Sequence, residues 1–230
     1  MIVPGKHAVI VGQNGSGKSQ QLIYLARNNE QPVVVFDTKI DDDFIHLATP
    51  SQKLVVVNNF REFLKALKQK DWHYLIVRPQ KFELSNPIAL DNYLDVLNEL
   101  KALTICIDEA YPFHGKAGRC YQGLLALLTC GRSRKLSVIC CTQRPSWVSN
   151  FIYSESSYFF IYRLVQKKDR KTISDMIPYN EEVPENYHYF YYDLIEGGAE
   201  CELKEPIKLF KRRPLPKKKT ISLLGVKTYA

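Results

Sequence analysis

The chain has 230 residues, 45% of them hydrophobic and 24% charged, a composition typical of one large globular domain with a packed core. No apolar run reaches the roughly 18 residues that span a bilayer, and the first residues lack the features of a secretory signal, so we expect neither a membrane-spanning nor a secreted protein. The net charge of +8 is concentrated near the C-terminus, where residues 204–219 contain eight Lys or Arg and one Glu. The six cysteines form no C-x-x-C pair, which favours free thiols in a reducing interior.

The first apolar segment, residues 7–12, leads into GQNGSGKS at residues 12–19, and a helix-like segment follows. This is the phosphate-binding loop pattern G-x-x-x-x-G-K-[ST] in its required setting between a strand and a helix. Glycines let the backbone point several N–H groups at one phosphate, and the helix adds the positive end of its dipole. The sequence therefore predicts a nucleotide site formed by Gly12, Gln13, Asn14, Gly15, Ser16, Gly17, Lys18, Ser19 and Gln20.

The following residues alternate short apolar segments with segments of helix length. Several of the apolar segments are continuous Val/Ile runs, typical of strands buried on both faces of a parallel sheet. Strands are predicted at 7–12, 32–37, 53–57, 73–79, 104–109, 137–143 and 158–164, and helices at 18–28, 60–70, 87–102 and 120–132. Together with the phosphate loop, this predicts an α/β fold, a P-loop NTPase three-layer α/β/α sandwich with a mostly parallel, RecA-like central sheet.

The fifth predicted strand, residues 104–109, ends in the carboxylates of Asp108 and Glu109. In a phosphate-loop ATPase such a pair holds Mg²⁺ through its water shell and polarises the water that attacks the γ-phosphate. Kinases of small molecules do not need the second acid here, so the pair favours hydrolysis. We therefore expect Ser19 and Asp108 to hold Mg²⁺ and Glu109 to act on the water. Lys18 should lie along the β- and γ-phosphates of ATP.

The next predicted strand ends in Gln143, whose amide can touch the γ-phosphate or its water and report hydrolysis to the following loop. Just before that strand, the basic turn at residues 131–135 offers Arg132 and Arg134. An arginine that reaches the phosphate of a neighbouring subunit stabilises the transition state and raises the rate by roughly 10³–10⁵. Taken alone, each of the two would be only a surface arginine.

The sequence changes in character after residue 165, where residues 165–177 predict a polar helix and residues 187–207 predict a β-hairpin around a Glu-Gly-Gly turn. The hairpin carries a cluster of aromatic side chains that could stack on bases, although packing within a strand is the commoner role. These residues are Tyr187, Tyr189, Phe190, Tyr191 and Tyr192.

Read in order, GQNGSGKS, VVVFDTK (33–39), ICIDEAY (105–111), GRSRKLSVICCTQRPS (131–146) and FFIYRL (159–164) resemble the FtsK–HerA superfamily of DNA-pumping ATPases. The small size is most similar to the genome-packaging ATPases of icosahedral viruses with an internal membrane, the tectivirus type. The resemblance covers residues 1 to about 165, and its most specific part is the basic turn followed by T-Q-R-P, after the Asp-Glu strand.

The resemblance implies the same roles for Lys18, Ser19, Asp108, Glu109 and Gln143. It makes Arg134 the arginine that acts in trans, with Arg132 second, although the turn here departs from the Gly-Arg-Lys-x-Gly often found in the family. It also implies a ring, usually a hexamer, with ATP sites between protomers and double-stranded DNA in the central channel.

We therefore expect an ATP-hydrolysing double-stranded DNA translocase that packages a viral genome into a preformed capsid, using ATP and Mg²⁺. It should occur in the host cytoplasm and at the packaging vertex of the virion, near portal or vertex proteins and an internal viral membrane. Lys116 and Arg119, in the loop after the acidic strand, are candidate DNA contacts, although charged loops are commonly just solvated.

The expected organisation is a P-loop ATPase domain at residues 1–207, with a core at 1–165 and a C-terminal helix and hairpin at 166–207. A basic tail at residues 208–230 follows. Such a tail suits phosphate backbones or an anionic membrane surface equally well, or is simply solvated.

Three other functions are compatible with the phosphate loop. A small-molecule or nucleotide kinase would leave the Asp-Glu pair and T-Q-R-P unexplained. A morphogenesis ATPase of filamentous phages usually carries a membrane-spanning helix. A nucleotide-switched structural component of a virion vertex would bind ATP to order an interface, with turnover incidental.

Overall fold

The computed structural model of the protein describes residues 2–114, 119–197, 200–208 and 227–229. Its centre is a single ten-stranded sheet in the order β10-β3-β4-β2-β5-β6-β1-β7-β8-β9. The strands from β3 to β7 in that order are parallel, whereas β8, β9 and β10 run antiparallel to their neighbours. The strands are β1 (His7–Val11), β2 (Val33–Phe36), β3 (Leu54–Val57), β4 (Tyr74–Val77), β5 (Leu103–Ile107), β6 (Leu136–Thr142), β7 (Ser156–Ile161), β8 (Tyr189–Asp193), β9 (Glu202–Lys204) and β10 (Lys227–Tyr229).

Helices connect most of the parallel strands. Asn86 begins the longest of them by accepting hydrogen bonds from the backbone N–H groups of Ile88 and Ala89, and Pro87 follows where its missing N–H is not needed. The α-helices of the described residues are α1 (Lys18–Arg27), α2 (Phe60–Gln69), α3 (Lys81–Leu84), α4 (Pro87–Asn98), α5 (Gln122–Cys130), α6 (Phe151–Ser154) and α7 (Lys167–Ser174). Short 3₁₀ turns lie at Asp42–His46, Tyr111–Phe113, Gly131–Arg134 and Pro145–Trp147.

The parallel strands are buried on both faces because alternate side chains enter two separate cores. Val9 of β1 packs in one core with Leu94 of α4 and Leu124 of α5. Its neighbour Ile10 packs in the other core with Leu22 of α1. The sheet is therefore the middle of three layers, which confirms the predicted α/β/α sandwich.

All seven strands predicted before residue 165 are present and parallel, and the predicted hairpin forms as β8 and β9. The helices α3 and α6 were not predicted because each is only four residues long. Strand β10 was also not predicted, and it lies within the predicted basic tail, paired with β3. Residues 209–226, which hold most of the charge of that tail, lie outside the described residues.

The order of the strands decides which loops meet. Strand β6 lies between β1 and β5 and is parallel to both. The carboxyl ends of these three strands, and the loops that follow them, therefore lie side by side at one edge of the sheet. Ligands of open α/β sheets bind at this edge.

Candidate nucleotide-binding site

The loop between β1 and α1 has the backbone shape of a phosphate cradle. Gly15 and Gly17 have φ values of 74° and 103°, a region that residues with side chains rarely adopt. A Cβ on Gly12 would lie 2.6 Å from both Ser16 Oγ and Tyr162 Cβ, so no larger residue fits there. Gly17 is also the N-cap of α1, and it brings no side chain that could occupy the first N–H groups of the helix. Those groups face a position suited to an anion.

Lys18 and Ser16 are buried polar groups of this loop whose surroundings fit a phosphate. Only 6% of Lys18 is exposed, and its Nζ donates a hydrogen bond of 2.7 Å to the carbonyl oxygen of Gln13. Burial lowers the pKa of Lys18 to about 8. Ser16 Oγ is buried and has no hydrogen-bond partner among the described residues. Both arrangements are costly without a ligand, and a bound phosphate would offset the cost.

Asp108 follows β5 and is held by the loop that follows β2. The backbone N–H and the hydroxyl of Thr38 both donate to its Oδ1, at 3.0 and 2.6 Å. Burial raises the pKa of Asp108 to about 6, and the bonds from Thr38 and the nearby Lys39 oppose this rise. A carboxylate fixed in this way beside a phosphate loop fits a role in holding Mg²⁺ through its water shell.

Within the described ranges, no group of three or more His, Cys, Asp or Glu side chains could hold a metal ion by itself. Mg²⁺ typically takes one or two protein ligands and completes its shell with water and the phosphates of the substrate. The hydroxyl of Ser19 and the carboxylate of Asp108 are oxygen ligands that could serve as these one or two protein ligands.

Glu109 is paired with a residue that the sequence analysis did not single out. Lys39 Nζ lies 3.4 Å from Glu109 Oε2, and it also donates to the backbone oxygen of Asp108 at 3.4 Å. Lys39 is the last residue of VVVFDTK, a segment that the sequence analysis quoted without giving the lysine a role. The sequence could not indicate the contact, because Glu109 lies 70 residues further along the chain. Only the pairing of β2 with β5 brings the two together.

Gln143 follows β6, and it is half-buried at the carboxyl edge between the phosphate loop and the acid pair.

Arg144, the next residue, has a structural role that the sequence did not reveal. The Arg144 guanidinium donates from Nε to Asp169 at 2.9 Å, and its Cζ atom lies 4.2 Å from the centre of the Trp147 ring. Arg144 therefore fastens the loop after Gln143 to α7, which gives the T-Q-R-P segment a mechanical link to the C-terminal region.

The two candidate finger arginines lie at the opposite edge of the sheet, in the turn that precedes β6. The seven residues of β6 separate this turn from the phosphate-loop edge, a span of roughly 20 Å. Arg132 is exposed, whereas Arg134 is half-buried and donates from Nη2 to Asn98 Oδ1 at 3.3 Å. This geometry keeps both arginines away from the nucleotide site of their own chain.

Of the candidate DNA contacts, Lys116 lies outside the described residues. Arg119 is exposed, and its guanidinium lies 5.9 Å from the centre of the Tyr121 ring. At the same carboxyl edge, Tyr111 and Trp147 form an exposed aromatic pair with their ring centres 5.5 Å apart.

Four of the five clustered aromatic residues of the hairpin serve packing. Phe190 and Tyr192 are buried in one core, and Tyr189 and Tyr191 pack against the other. Tyr187 differs, because it is 63% exposed and has a φ of 64°.

A cavity of about 600 Å³ opens over the phosphate loop. One of its sides comes from α1 and the loop after β2, and the other comes from the C-terminal region. Residues lining it beyond the loop itself include Lys39, Asp41, His46, Tyr187, Pro206 and Ile207. The size and position of this cavity fit a nucleotide.

Structural comparison defines the class of fold. The genome packaging NTPase B204 of Sulfolobus turreted icosahedral virus 2, in complex with sulfate, matches 91% of this chain and 100% of its own with a TM-score of 0.66 at 16% identity. The pCW3 conjugation coupling protein TcpA, a monomer form with ATPγS, matches 86% of this chain and 60% of its own with a TM-score of 0.52 at 14% identity. The chain therefore shares its fold with these two proteins.

Sequence comparison gives a more specific relative. The chain is 37% identical over 114 residues to the DNA packaging ATPase P9 of Enterobacteria phage PRD1. The match covers 45% of this chain and 48% of that protein, so it spans about half the length of this relative. No family model matches the chain. This similarity in sequence confirms the predicted resemblance to tectivirus-type packaging ATPases.

Two remaining expectations concern the chain as a whole. In the described part of the chain, no helix has the length and apolar character needed to cross a membrane. The six cysteines are free, as predicted, and Cys106, Cys140 and Cys141 are buried within the strands.

Proposed function

We propose that the chain is an ATP-hydrolysing motor that translocates double-stranded DNA and packages a viral genome into a preformed capsid. The observation that carries this proposal is the similarity to the DNA packaging ATPase P9 of phage PRD1. The site supports it, because β6 lies between the phosphate-loop strand and the acidic strand and all three end at one edge.

The residues of this edge divide the work of hydrolysis. Lys18 and the N–H groups of the loop bind the β- and γ-phosphates of ATP, and Ser19 and Asp108 hold Mg²⁺. When bound, the metal ion neutralises charge that develops on the phosphate oxygens. Glu109 takes a proton from the water whose oxygen attacks the γ-phosphorus, while the bond to the β-phosphate oxygen breaks and ADP leaves. Gln143 lies where it can contact the γ-phosphate or that water.

A second copy of the chain completes the site in this proposal. The candidate finger turn lies at the opposite edge from the phosphate loop, so an arginine from it can serve only the nucleotide of a neighbour. The exposure of Arg132 and the bond between Arg134 and Asn98 make Arg132 the better candidate for this contact. A closed ring, such as a hexamer, gives every site a neighbour.

The remaining partners follow from the activity. Double-stranded DNA would contact the carboxyl-edge loop that contains Lys116 and Arg119, and the basic residues of 204–219 would add sequence-independent attraction to phosphates. The motor would work at the packaging vertex of the virion, beside portal or vertex proteins and the internal membrane.

Steady-state ATP hydrolysis, measured with and without long double-stranded DNA at low and high protein concentration, tests the proposal. We expect DNA to stimulate hydrolysis strongly, and only at concentrations where rings assemble. Glu109→Gln is the control, because it should abolish turnover and retain nucleotide binding. Hydrolysis that is indifferent to DNA in assembled rings, or a phosphorylated acceptor among the products, would contradict the proposal.

A further inference from the structure

The turn that follows β2 is held in place by buried polar contacts. Asp37 is completely buried, and its carboxylate accepts hydrogen bonds of 2.8 Å from Arg78 Nε and from the backbone N–H of Asp41. Thr38 is joined to Asp108 by the two bonds described above. The turn is therefore held at both ends, and Lys39 and Ile40 lie between Thr38 and Asp41.

The backbone beside Lys39 is strained. Ile40 has a φ of 58°, which is rare for a β-branched residue, and its side chain is 61% exposed, so no burial of the side chain offsets the strain. Strain of this kind costs on the order of 1–3 kcal/mol and persists only where the surrounding structure imposes it, often at functional sites. Here it accompanies the placement of Lys39 in the nucleotide cavity.

The ammonium group of Lys39 occupies a position between the acid pair and the phosphate loop. It contacts Glu109 Oε2 and the backbone oxygen of Asp108, each at 3.4 Å, and it lines the cavity together with Lys18. The two ammonium groups are near enough for the charge of Lys39 to lower the pKa of Lys18. A cavity wall with two cations at this point suits a ligand with several negative charges.

We propose that Lys39 is a γ-phosphate sensor that holds Glu109 in the nucleotide-free site and releases it when a nucleoside triphosphate binds. This inference rests on the proposed ATPase function of the same site. The γ-phosphate brings additional negative charge next to Lys18, and the ammonium of Lys39 exchanges the Glu109 carboxylate for a phosphate oxygen. The carboxylate is then available to the attacking water. A nucleoside diphosphate lacks the γ-phosphate, so the ion pair between Lys39 and Glu109 stays intact.

The physical properties of the pair favour such an exchange. The side chain of Lys39 is 40% exposed and that of Glu109 is 13% exposed, so the ammonium can move while the carboxylate stays in place. Partly solvated ion pairs hold weakly, whereas a hydrogen bond between an ammonium and a phosphate is charge-assisted and strong. Lysine also suits the task, because its flexible stem and three donors allow two alternative partners.

Equilibrium binding of Mg²⁺ADP and Mg²⁺AMPPNP to the full chain tests the sensor. We expect Lys39→Met to weaken AMPPNP binding about tenfold, because one charge-assisted contact is lost, and to leave ADP binding unchanged within about twofold. Lys39→Arg should recover part of the AMPPNP affinity. Lys53→Met, which removes a surface lysine paired with Asp71, is the matched control and should change neither affinity.

A double-mutant cycle tests whether Lys39 exchanges Glu109 for a phosphate oxygen. Glu109→Gln removes the resting partner of Lys39, so it should tighten AMPPNP binding several-fold, and this gain should vanish in the Lys39→Met/Glu109→Gln double variant. A gain that persists in the double variant, or equal loss of both nucleotides in Lys39→Met, would overturn the inference. Absence of nucleotide binding by the wild type would instead count against the proposed ATPase function, so the two failures are distinguishable.

Discussion

The carboxyl and amino edges of the same parallel sheet differ in the hydrogen bonds made by their buried side chains Lys18 and His7. At the carboxyl edge, Lys18 is buried against a neutral carbonyl, and Ser16 Oγ is buried with no partner among the described residues. At the amino edge, His7 uses both ring nitrogens, with Nε2 2.9 Å from the carbonyl oxygen of Leu128 and Nδ1 3.1 Å from the backbone nitrogen of Val138.

The difference between Lys18 and His7 teaches that the cost of burying the Lys18 ammonium arises where a ligand can offset it. Buried polar groups without good partners destabilise a fold, and they are retained where binding requires them. At the amino edge, the buried side chains of His7 and Ser137 instead bond to the backbone around them, although His73 Nε2 and Arg134 Nε are buried there without a partner among the described residues. Gly5 N, for example, donates to Ser137 Oγ at 2.9 Å.

The largest expected effect comes from removing the buried cation of the carboxyl edge. Lys18→Met should abolish ATP hydrolysis, because the β- and γ-phosphates lose their main cation. The same change should raise the free energy of unfolding of the nucleotide-free protein by about 2 kcal/mol at pH 7. At pH 7 the lysine is still charged in the folded state, since its pKa of about 8 lies above that pH, so the full cost of burial is present.

Hydrolysis assays and urea unfolding of the same preparations measure both effects of this substitution. Lys53→Met, at an exposed surface lysine, should leave both quantities unchanged. A loss of stability in Lys18→Met would mean that burial of the Lys18 ammonium does not destabilise the nucleotide-free protein.

The second effect separates the two arginines of the basic turn. Arg132→Ala should lower hydrolysis about 10³-fold in assembled rings without changing the stability of the monomer. Arg134→Ala should lower the free energy of unfolding by about 1 kcal/mol, because it loses its bond to Asn98.

Mixed rings test the arrangement in trans. An Arg132→Ala chain has an intact phosphate loop, and a Lys18→Met chain has an intact arginine. Combining the two inactive variants should therefore restore part of the hydrolysis. If the mixture stays inactive although mixed oligomers form, the finger does not act between chains.

The third effect, which concerns stability and not hydrolysis, comes from His7 at the amino edge. Burial lowers the pKa of His7 to about 4 from an ordinary value of 6.5. Between these values the unfolded chain binds a proton that the folded chain does not, so stability falls as the pH drops. The contribution of His7 should be about 2 kcal/mol between pH 7 and pH 5.

Urea unfolding of wild type and His7→Gln across this pH range measures that contribution. Burial also lowers the pKa of His73 and His114, so the difference between the two proteins, rather than the wild-type slope, isolates His7. Identical pH dependence in both proteins would show that the imidazole is not kept neutral in the fold.

Much of the fold and of the phosphate site could be predicted because the signals are local. The seven parallel strands are short runs of apolar residues, and the loop from Gly12 to Ser19 is one continuous motif. The carboxylates of Asp108 and Glu109 stand directly at the end of such a strand. The short helices α3 and α6 and the edge strand β10 had no comparable signal, because each has only three or four residues.

The sequence by itself thus determined the sandwich, the nucleotide loop and the acid pair, since each depends on residues that are neighbours in the chain. Only the tertiary structure decided that Lys39 contacts Glu109, that Arg144 fastens the loop after Gln143 to Asp169, and that the arginine turn lies away from its own nucleotide site. These contacts depend on the order of the strands across the sheet. That order is set by how whole strands and helices pack around two cores, and no single segment of the sequence encodes it.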